Sequence, residues 1–179
     1  MNKKLKSALI EVVSIIGVVF VPFIIIHQFV ARPFLVSGAS MEPNFKNGNY
    51  LIVDLVSYHL GGLKAGDVVI FKYPGDLSTY YIKRVIALPG DTVKFSGGKT
   101  YVNGKELDEE YLPKTTDTES VKREFVLQKD EYFVMGDNRG ASYDSRSWGP
   151  LPKEDVIGIV KVRVWPPFEI YRNINDNKQ

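Results

Sequence analysis

The stretch that decides the fold reads Tyr80-Tyr81-Ile82-Lys83-Arg84-Val85-Ile86-Ala87-Leu88 and is followed by Pro89-Gly90. β-Branched and aromatic residues dominate this run, and the proline and glycine end it, which predicts a β-strand. Alternate side chains of a strand share a face, so Lys83 lies on an apolar face and Arg84 lies on the opposite one. A lysine in such a place is unusual, because burial disfavours its charged form.

Similar short runs occur at close spacing along most of the chain. They predict strands over residues 34–36, 50–53, 67–71, 92–95, 100–102, 125–127, 132–135 and 156–165. Asn103-Gly104 predicts a hairpin turn, residues 107–124 an exposed excursion, and residues 136–149 a polar loop. Almost no helical period follows residue 32. The pattern therefore predicts a mainly β domain over residues 33–172, an antiparallel sheet or barrel-like fold, with a polar tail over 173–179.

The amino-terminal segment has a different character. Lys3, Lys4 and Lys6 precede a run from Val12 to Ala31 that contains no Asp, Glu, Lys or Arg. As a helix this run would span about 30 Å, the thickness of the hydrocarbon core of a bilayer. Residues 1–32 are thus predicted to form a cytoplasmic amino terminus and a single transmembrane helix, with the rest of the chain outside.

Two other features of the sequence bear on this membrane prediction. A cleaved signal peptide is the competing interpretation, but Phe29-Val30-Ala31 places an aromatic residue where the cleavage site needs a small one. The segment Trp165-Pro166-Pro167-Phe168 is a candidate for contact with the membrane interface, because aromatic side chains favour that zone. Covering the core is the alternative role for these aromatic residues.

Composition excludes several classes of function. The chain has 179 residues and a formal net charge of +2, and no block of lysine or arginine indicates a nucleic-acid partner. It contains no cysteine, so disulfides and thiolate metal sites are excluded. Its two histidines are His27, inside the apolar segment, and His59, in a polar turn flanked by glycine. No metal or organic cofactor is expected.

Ser40 is the candidate nucleophile, in the turn Val36-Ser37-Gly38-Ala39-Ser40-Met41-Glu42-Pro43. A hydroxyl needs a base within hydrogen-bond reach, and Lys83 is a better candidate than His59 because Ser-Lys pairs are a known variant of the catalytic triad. To act near neutral pH, the pKa of Lys83 must fall by about 3 units from roughly 10.4. Taken singly, Ser40 in an ordinary turn and Lys83 reaching solvent are the competing interpretations.

A loop rich in charge follows one of the predicted strands. Residues 136–146 contain Asp137, Arg139, Ser142, Asp144 and Arg146. Charges so dense are expected to pair locally and hold the loop rigid, and the hydroxyl of Ser142 could orient a neutral lysine. The competing interpretation is a solvated loop with weak surface pairs.

Four segments together resemble bacterial type I signal peptidases, also called leader peptidases. They are Ser37-Gly38-Ala39-Ser40-Met41-Glu42-Pro43, Gly66-Asp67-Val68-Val69-Ile70-Phe71, Tyr81-Ile82-Lys83-Arg84-Val85-Ile86-Ala87-Leu88-Pro89-Gly90-Asp91, and the Gly136–Gly149 loop. They occur in the family's order, the resemblance covers residues 5–168, and the short central region resembles the compact form of Gram-positive bacteria. The resemblance implies a membrane-bound serine endopeptidase, a hydrolase that removes signal peptides after small-x-small sites, typically Ala-x-Ala.

The resemblance also implies roles for individual residues. Ser40 would be the nucleophile and Lys83 the general base, Ser142 would orient the lysine, and the turn Gly38-Ala39-Ser40 would form the oxyanion region. Asp144 and Arg146 would form a supporting ion pair, and Asp137 and Arg139 would belong to the same scaffold. The substrate pockets would be lined by Phe34, Val36, Met41, Phe45, Tyr81 and Ile82. Gly38 departs from members that place a second oxyanion donor, a serine, there. Asn44 replaces the usual threonine, with a small effect expected.

The expected partners are preproteins that carry signal peptides and the lipid bilayer, and the expected location is the bacterial cell membrane with a single pass. Three alternatives remain open. One is a processing peptidase dedicated to a single substrate of the pilin or conjugation type. Another is a catalytically silent, membrane-tethered β module that binds peptides. The third, a self-cleaving repressor, would carry a DNA-binding domain where this chain has its apolar segment.

Overall fold

A long helix leads directly into the first strand in the computed structural model, which describes residues 3–113, 116–165 and 168–170. Helix α1 covers Lys3–Ile25, a π-helical stretch covers Ile26–Val30, and strand β1 covers Ala31–Leu35. Apolar side chains of α1, among them Phe20 and Phe23, are exposed. In the part of the chain that the structure describes, no helix combines the length and the hydropathy needed to cross a membrane.

The larger of two antiparallel sheets contains β1 and seven further strands. These are β2 (Tyr50–Asp54), β3 (Val68–Tyr73), β4 (Asp76–Ala87), β9 (Glu131–Met135), β10 (Leu151–Pro152), β11 (Val156–Trp165) and β12 (Glu169–Ile170). Hydrogen bonds join them in the order β1-β2-β11-β3-β4-β9-β10, and β12 pairs with β11. The prediction of a mainly β, antiparallel fold is confirmed.

This sheet is strongly curved but does not close by hydrogen bonds. The ring of Phe34 on β1 lies 5.6 Å from the ring of Tyr80 on β4, although three strands separate β1 from β4 in the sheet. Among the described residues the path of paired strands ends at β1 and β10, so hydrogen bonds do not close the sheet into the expected barrel. Both end strands contain a proline, which lacks the N–H needed to continue a ladder.

The smaller sheet contains β5 (Thr92–Ser96), β6 (Lys99–Val102), β7 (Lys105–Glu106) and β8 (Glu124–Val126), in the order β7-β6-β5-β8. The predicted hairpin at Asn103-Gly104 is confirmed as the turn between β6 and β7. Phe95 and Phe125 of this sheet pack against Phe133 of β9. The two sheets therefore share one hydrophobic cluster.

Strand β4 lies near the centre of the larger sheet and is buried from Ile82 to Ala87. Lys83 pairs with Val69 of β3, while Arg84 pairs with Val68 on one side and with Met135 of β9 on the other. Both charged side chains are therefore fixed on a strand that has neighbours on both sides. Their backbone positions are set by the sheet and not by a loop.

Three predictions from sequence need correction. Short helical segments occur after residue 32, where almost none were predicted: α2 (Val56–Gly61), which carries His59, and α3 (Ser145–Trp148), with 3₁₀ turns at Arg139–Ala141 and Lys153–Asp155. The first predicted strand begins at Ala31 rather than Phe34, because β1 pairs with β2 from that residue onward. The segment 107–124 is not simply exposed, since Thr118 is buried. The predicted tail and Pro166-Pro167 lie outside the described residues.

Candidate active site

The side chains of Lys83 and Ser40 meet in the lining of one cleft. The Nζ of Lys83 lies 2.8 Å from the Oγ of Ser40 and donates a second hydrogen bond to the carbonyl oxygen of Ile82 at 2.9 Å. Lys83 is only 3% exposed, and the ring of Tyr81 lies 5.2 Å from its Nζ. Ser40 and Lys83 are 43 positions apart in the sequence, and the fold brings their side chains within one hydrogen bond.

The surroundings of Lys83 favour its neutral form. Burial lowers the pKa of Lys83 to about 8, although the carboxylates of Asp144 and Asp137 oppose this effect, and the positive charge of Arg146 adds to it. A neutral amine has a lone pair, so in that form the lysine can accept the proton of the Ser40 hydroxyl. The pair can therefore work as a nucleophile and a base in mildly alkaline solution.

The turn that carries Ser40 is held from behind. Gly38 has φ +96°, a conformation that favours glycine, and its N–H donates to Oδ1 of Asn47 at 3.0 Å. Met41 and Phe45 are buried beneath the turn in the core. Within the described residues the N–H of Ser40 donates to no acceptor, so it is free to bind a ligand oxygen. No sequence pattern indicates the contact between Gly38 and Asn47, because it depends on how the chain folds back between these two residues, which are nine positions apart.

The loop 136–146, called here the site loop, lies against this turn. The backbone N–H of Asn138 donates to the carbonyl oxygen of Ser40 at 3.0 Å, and its side chain donates to that of Ala39 at 3.1 Å. A side chain at Gly136 would collide with both the Ser142 hydroxyl and the Ser40 carbonyl oxygen. Gly136 and Asn138 therefore set how closely the loop approaches Ser40, and sequence reasoning gave neither residue a role.

One ion pair lies within the site loop. Arg146 donates from Nε to Asp144 Oδ1 at 2.8 Å and from Nη2 to Oδ2 at 2.9 Å. The N–H of Gly136 donates to the same carboxylate at 3.0 Å. Burial opposes ionisation of Asp144, but these hydrogen bonds and the charge of Arg146 outweigh it and hold its pKa below the usual value.

The other two charged residues of the site loop find partners elsewhere in the chain, which corrects the expectation of local pairing. Asp137 accepts two hydrogen bonds from Arg84, one from Nε at 2.8 Å and one from Nη2 at 2.7 Å. Arg139 forms a two-pronged contact with Glu109. All four side chains are largely or fully buried. Sequence position alone did not pair them, since 53 and 30 residues separate the partners.

Ser142 is brought close to this group without the predicted contact to lysine. It lies beside Asp144 and contributes to lowering the pKa of that carboxyl. Its Oγ is buried, yet no hydrogen bond of normal geometry reaches it from the residues that the structure describes. The two hydrogen bonds of Lys83 go to Ser40 and Ile82 instead.

The cleft has a volume of about 330 Å³. Of the residues predicted to contact substrate, Phe34, Val36, Tyr81 and Ile82 line it, and so do Gly38 and Ala39. Met41 and Phe45 do not, because they face the core as the support of the Ser40 turn. The sequence analysis missed seven lining residues: Leu35, Ser37, Leu51, Ile70, Tyr80, Ala141 and Tyr143. Among the described residues, no three His, Asp or Glu side chains are grouped to hold a metal ion.

Replacing Lys83 by methionine should stabilise the protein in a manner that depends on pH. Below about pH 8 the folded chain must hold a buried ammonium, whereas above 10.5 the unfolded chain also has a neutral amine. The stabilisation of Lys83→Met should therefore be about 3 kcal/mol below pH 8, decline between pH 8 and 10.5, and vanish above that range. Chemical denaturation at several pH values would measure it.

The control for this prediction is Lys94→Met, at an exposed lysine on β5. It should change stability little at any pH. A stabilisation by Lys83→Met that is the same at pH 7 and pH 11 would contradict the argument from burial.

Comparison with known proteins shows the family of this chain. The family model described as "Signal peptidase, peptidase S26" matches residues 9–165. The chain is 36% identical to signal peptidase IB of Staphylococcus aureus (strain Mu50), over 96% of this chain and 97% of that protein. It is also 36% identical to signal peptidase I of Leptolyngbya laminosa, over 91% and 83% of the two chains.

Among solved structures, a signal peptidase I from Enterococcus faecalis superposes with a TM-score of 0.46 and 29% identity, over 54% of this chain and 95% of that one. The family match spans most of the sequence, and it includes both Ser40 and Lys83. The chain therefore belongs to the signal peptidases of peptidase family S26, and it is a hydrolase of the serine peptidase class.

Proposed function

We propose that this chain cuts signal peptides from exported preproteins after small-x-small sites, typically Ala-x-Ala, with Ser40 as nucleophile and Lys83 as general base. The observation that carries the proposal is the 2.8 Å contact between Ser40 Oγ and a buried Lys83 Nζ in the lining of the cleft. Kinship with signal peptidases I and IB supports the choice of substrate.

The first half of the reaction forms an acyl-enzyme. Neutral Lys83 takes the proton of the Ser40 hydroxyl while Oγ attacks the carbonyl carbon of the scissile peptide bond. The resulting oxyanion receives a hydrogen bond from the N–H of Ser40, which has no acceptor among the described residues. The ammonium of Lys83 then gives its proton to the leaving amine, the C–N bond breaks, and the mature chain departs.

The second half releases the signal peptide. Lys83, again neutral, takes a proton from a water molecule whose oxygen attacks the ester carbonyl. The ester C–O bond then breaks, the proton returns to Oγ of Ser40, and the signal peptide leaves as a carboxylic acid that ionises. Ser142 supports both halves in this proposal, because its buried hydroxyl packs against Gly136 beside the Ser40 carbonyl oxygen and has no hydrogen bond of normal geometry among the described residues.

The shape of the cleft accounts for the preference for small residues. Residues 34–40 form one wall and residues 80–83 form the other, so an extended peptide can lie between them as an added strand. The rings of Phe34 and Tyr80, one from each wall, lie 5.6 Å apart. In this proposal the aromatic and aliphatic side chains of the two walls favour alanine over larger side chains.

The amino-terminal segment would hold this site at the outer surface of the bacterial cell membrane. The run from Val12 to Ala31 carries no charge, and the apolar side chains of α1 are exposed. The π-helical stretch that follows α1 continues into β1, which forms a wall of the cleft. In this arrangement residues 1–32 are the anchor, with the amino terminus in the cytoplasm, and the β-rich part lies outside.

Cleavage of a preprotein with an Ala-x-Ala site is the direct test of the proposed function. The purified chain in detergent should cut after the second alanine, and Ser40→Ala should abolish cutting. Lys83→Arg should abolish it as well, since a guanidinium keeps the charge but does not release its proton near neutral pH. Amino-terminal sequencing of the product locates the cut.

The outcomes of this cleavage assay separate the alternatives. Cutting by Ser40→Ala would contradict the assignment of the nucleophile. Binding of the preprotein without cutting would favour the silent peptide-binding module, and cutting of a single pilin-type substrate would favour the dedicated peptidase.

The rate should rise with pH through the pKa of Lys83. Only the neutral amine is a base, so kcat/KM should increase about tenfold per pH unit in acid and level off above about pH 8. Initial rates between pH 6 and pH 10 would show the midpoint. A rate that is flat over this whole range would contradict control by Lys83.

The anchor predicts that the chain stays with membranes after extraction by alkaline carbonate. Two charges in the middle of the segment, Val18→Asp with Val19→Asp, should release it, because each carboxylate costs about 3 kcal/mol at the bilayer centre. Immunoblots of pellet and supernatant measure the distribution. Recovery of the unaltered chain in the supernatant would contradict the anchor.

A further inference from the structure

Three residues from the segment between β7 and β8 close against the back of the site loop. Glu109 binds the guanidinium of Arg139 through both carboxylate oxygens, and Thr118 Oγ1 accepts from the same guanidinium at 2.7 Å. The Tyr111 hydroxyl donates to Glu109 at 2.8 Å. We call Glu109, Tyr111 and Thr118 the brace. Arg139 is only 4% exposed, so this contact is a buried ion pair with added hydrogen bonds.

Arg139 links the brace to the residues around Ser40 and Lys83. Its Nε donates to the carbonyl oxygen of Gly136 at 3.1 Å, and its own carbonyl oxygen accepts from Arg146 at 2.7 Å. Gly136 is packed so tightly between the Ser142 hydroxyl and the Ser40 carbonyl that no side chain fits there. A shift of Arg139 therefore moves the groups that touch Ser40.

A second set of contacts links the brace to the strand of Lys83. The ring of Tyr111 lies 4.1 Å from the guanidinium carbon of Arg84, the residue that follows Lys83 on β4. The carbonyl oxygen of Tyr111 accepts from Asn44 at 2.9 Å, and the same amide donates to Asp137 at 2.8 Å. Asn44 therefore joins the Ser40 turn to both the brace and the site loop, a larger role than the sequence analysis expected.

Neither set of contacts is on the solvent surface. Taking one partner out of a buried ion pair leaves an unpaired charge, which the surrounding structure relieves by moving or by admitting water. The part of the site loop around Arg139 is the part that can move, because Asp137 is held by Arg84 on the central strand β4. Ala141 and Tyr143 of the site loop line the same cleft as Lys83, so water admitted by a displaced loop would come within reach of its amine.

We propose that the brace is a positioning element for the reaction, in which Glu109, through Arg139, holds the site loop against Ser40 and keeps Lys83 dry. This inference rests on the proposed roles of Ser40 and Lys83. It assigns Glu109, Tyr111 and Thr118 to positioning, since none of the three lines the cleft.

If the brace contributed only to the stability of the fold, variants at Glu109 would affect the pH dependence of the rate differently. The charged and aromatic groups that face Lys83 are Asp144, Asp137, Arg146 and the ring of Tyr81. Glu109 is not one of them, so a change at Glu109 reaches Lys83 only by moving the site loop. Lower stability reduces the amount of folded enzyme but leaves the pH midpoint of its rate where it was. A loosened site loop hydrates Lys83, and its pKa then rises toward the ordinary value for lysine.

The test compares Glu109→Gln with Glu106→Gln in the full chain in detergent, with a preprotein carrying an Ala-x-Ala site as substrate. Glu106 forms a 2.7 Å ion pair with Lys99, but both side chains are about half exposed, which makes it a matched control. For Glu109→Gln we expect kcat to fall about tenfold to a hundredfold with KM nearly unchanged, and the pH midpoint to move upward. Glu106→Gln should behave as the wild type.

A second pair of variants covers the case in which Glu109→Gln does not fold. Thr118→Val keeps the shape of the side chain but removes the acceptor for Arg139, whereas Thr118→Ser keeps it. Thr118→Val should lower kcat and raise the pH midpoint in the same direction as Glu109→Gln, and Thr118→Ser should retain most of the activity. Thermal unfolding of each variant shows that it is folded at the assay temperature.

The outcomes are distinct. Folded Glu109→Gln or Thr118→Val with the wild-type kcat and pH midpoint would overturn the proposal. A loss of activity with an unchanged midpoint would overturn it too, because that is the signature of a purely structural role. Cleavage by the wild type in the same assay separates a failure of the brace from a failure of the proposed function.

Discussion

The hydrogen bond between Lys83 and Ser40 depends on keeping an amine out of water, and much of the surrounding structure serves that condition. A lysine at the end of a flexible side chain normally reaches solvent. Here it is fixed on a central strand with β3 and β9 on either side, and its amine is held by Ser40 and by the carbonyl oxygen of Ile82. Burial is the main cause of its lowered pKa.

Two aspartates near Lys83 would undo this effect if their charges were not engaged elsewhere. Carboxylates attract a proton to the amine, and both Asp144 and Asp137 do so to some extent. Each of them is paired with an arginine, Arg146 and Arg84 respectively, in a contact made through two nitrogen atoms. The charges near Lys83 are thus largely balanced by their partners, and burial remains the larger influence on the pKa of Lys83.

The same arrangement explains how a loop becomes a rigid wall. Loops are usually mobile because their backbone groups face water. The site loop instead donates hydrogen bonds to the carbonyl oxygens of Ala39 and Ser40. Gly136 lies so close to Ser40 that a side chain there would collide with it, and Arg139 is bound to Glu109. In this chain such contacts, and not the hydrophobic core alone, fix the position of the loop's side chains.

The sequence by itself determined the family, the antiparallel β class and the two residues that meet at 2.8 Å, because motif spacing and strand periodicity are local properties of the chain. The tertiary structure alone decided the partners of Asp137 and Arg139, the support of Gly38 by Asn47, and the burial of Met41 and Phe45 away from the cleft. Helix α2 and the inward packing of Thr118 were also missed, since neither short segment has a clear hydrophobic period. The physical reason is common to all of these: ion pairing and side-chain burial depend on which distant segments the curved sheet brings together, and no local pattern contains that distance.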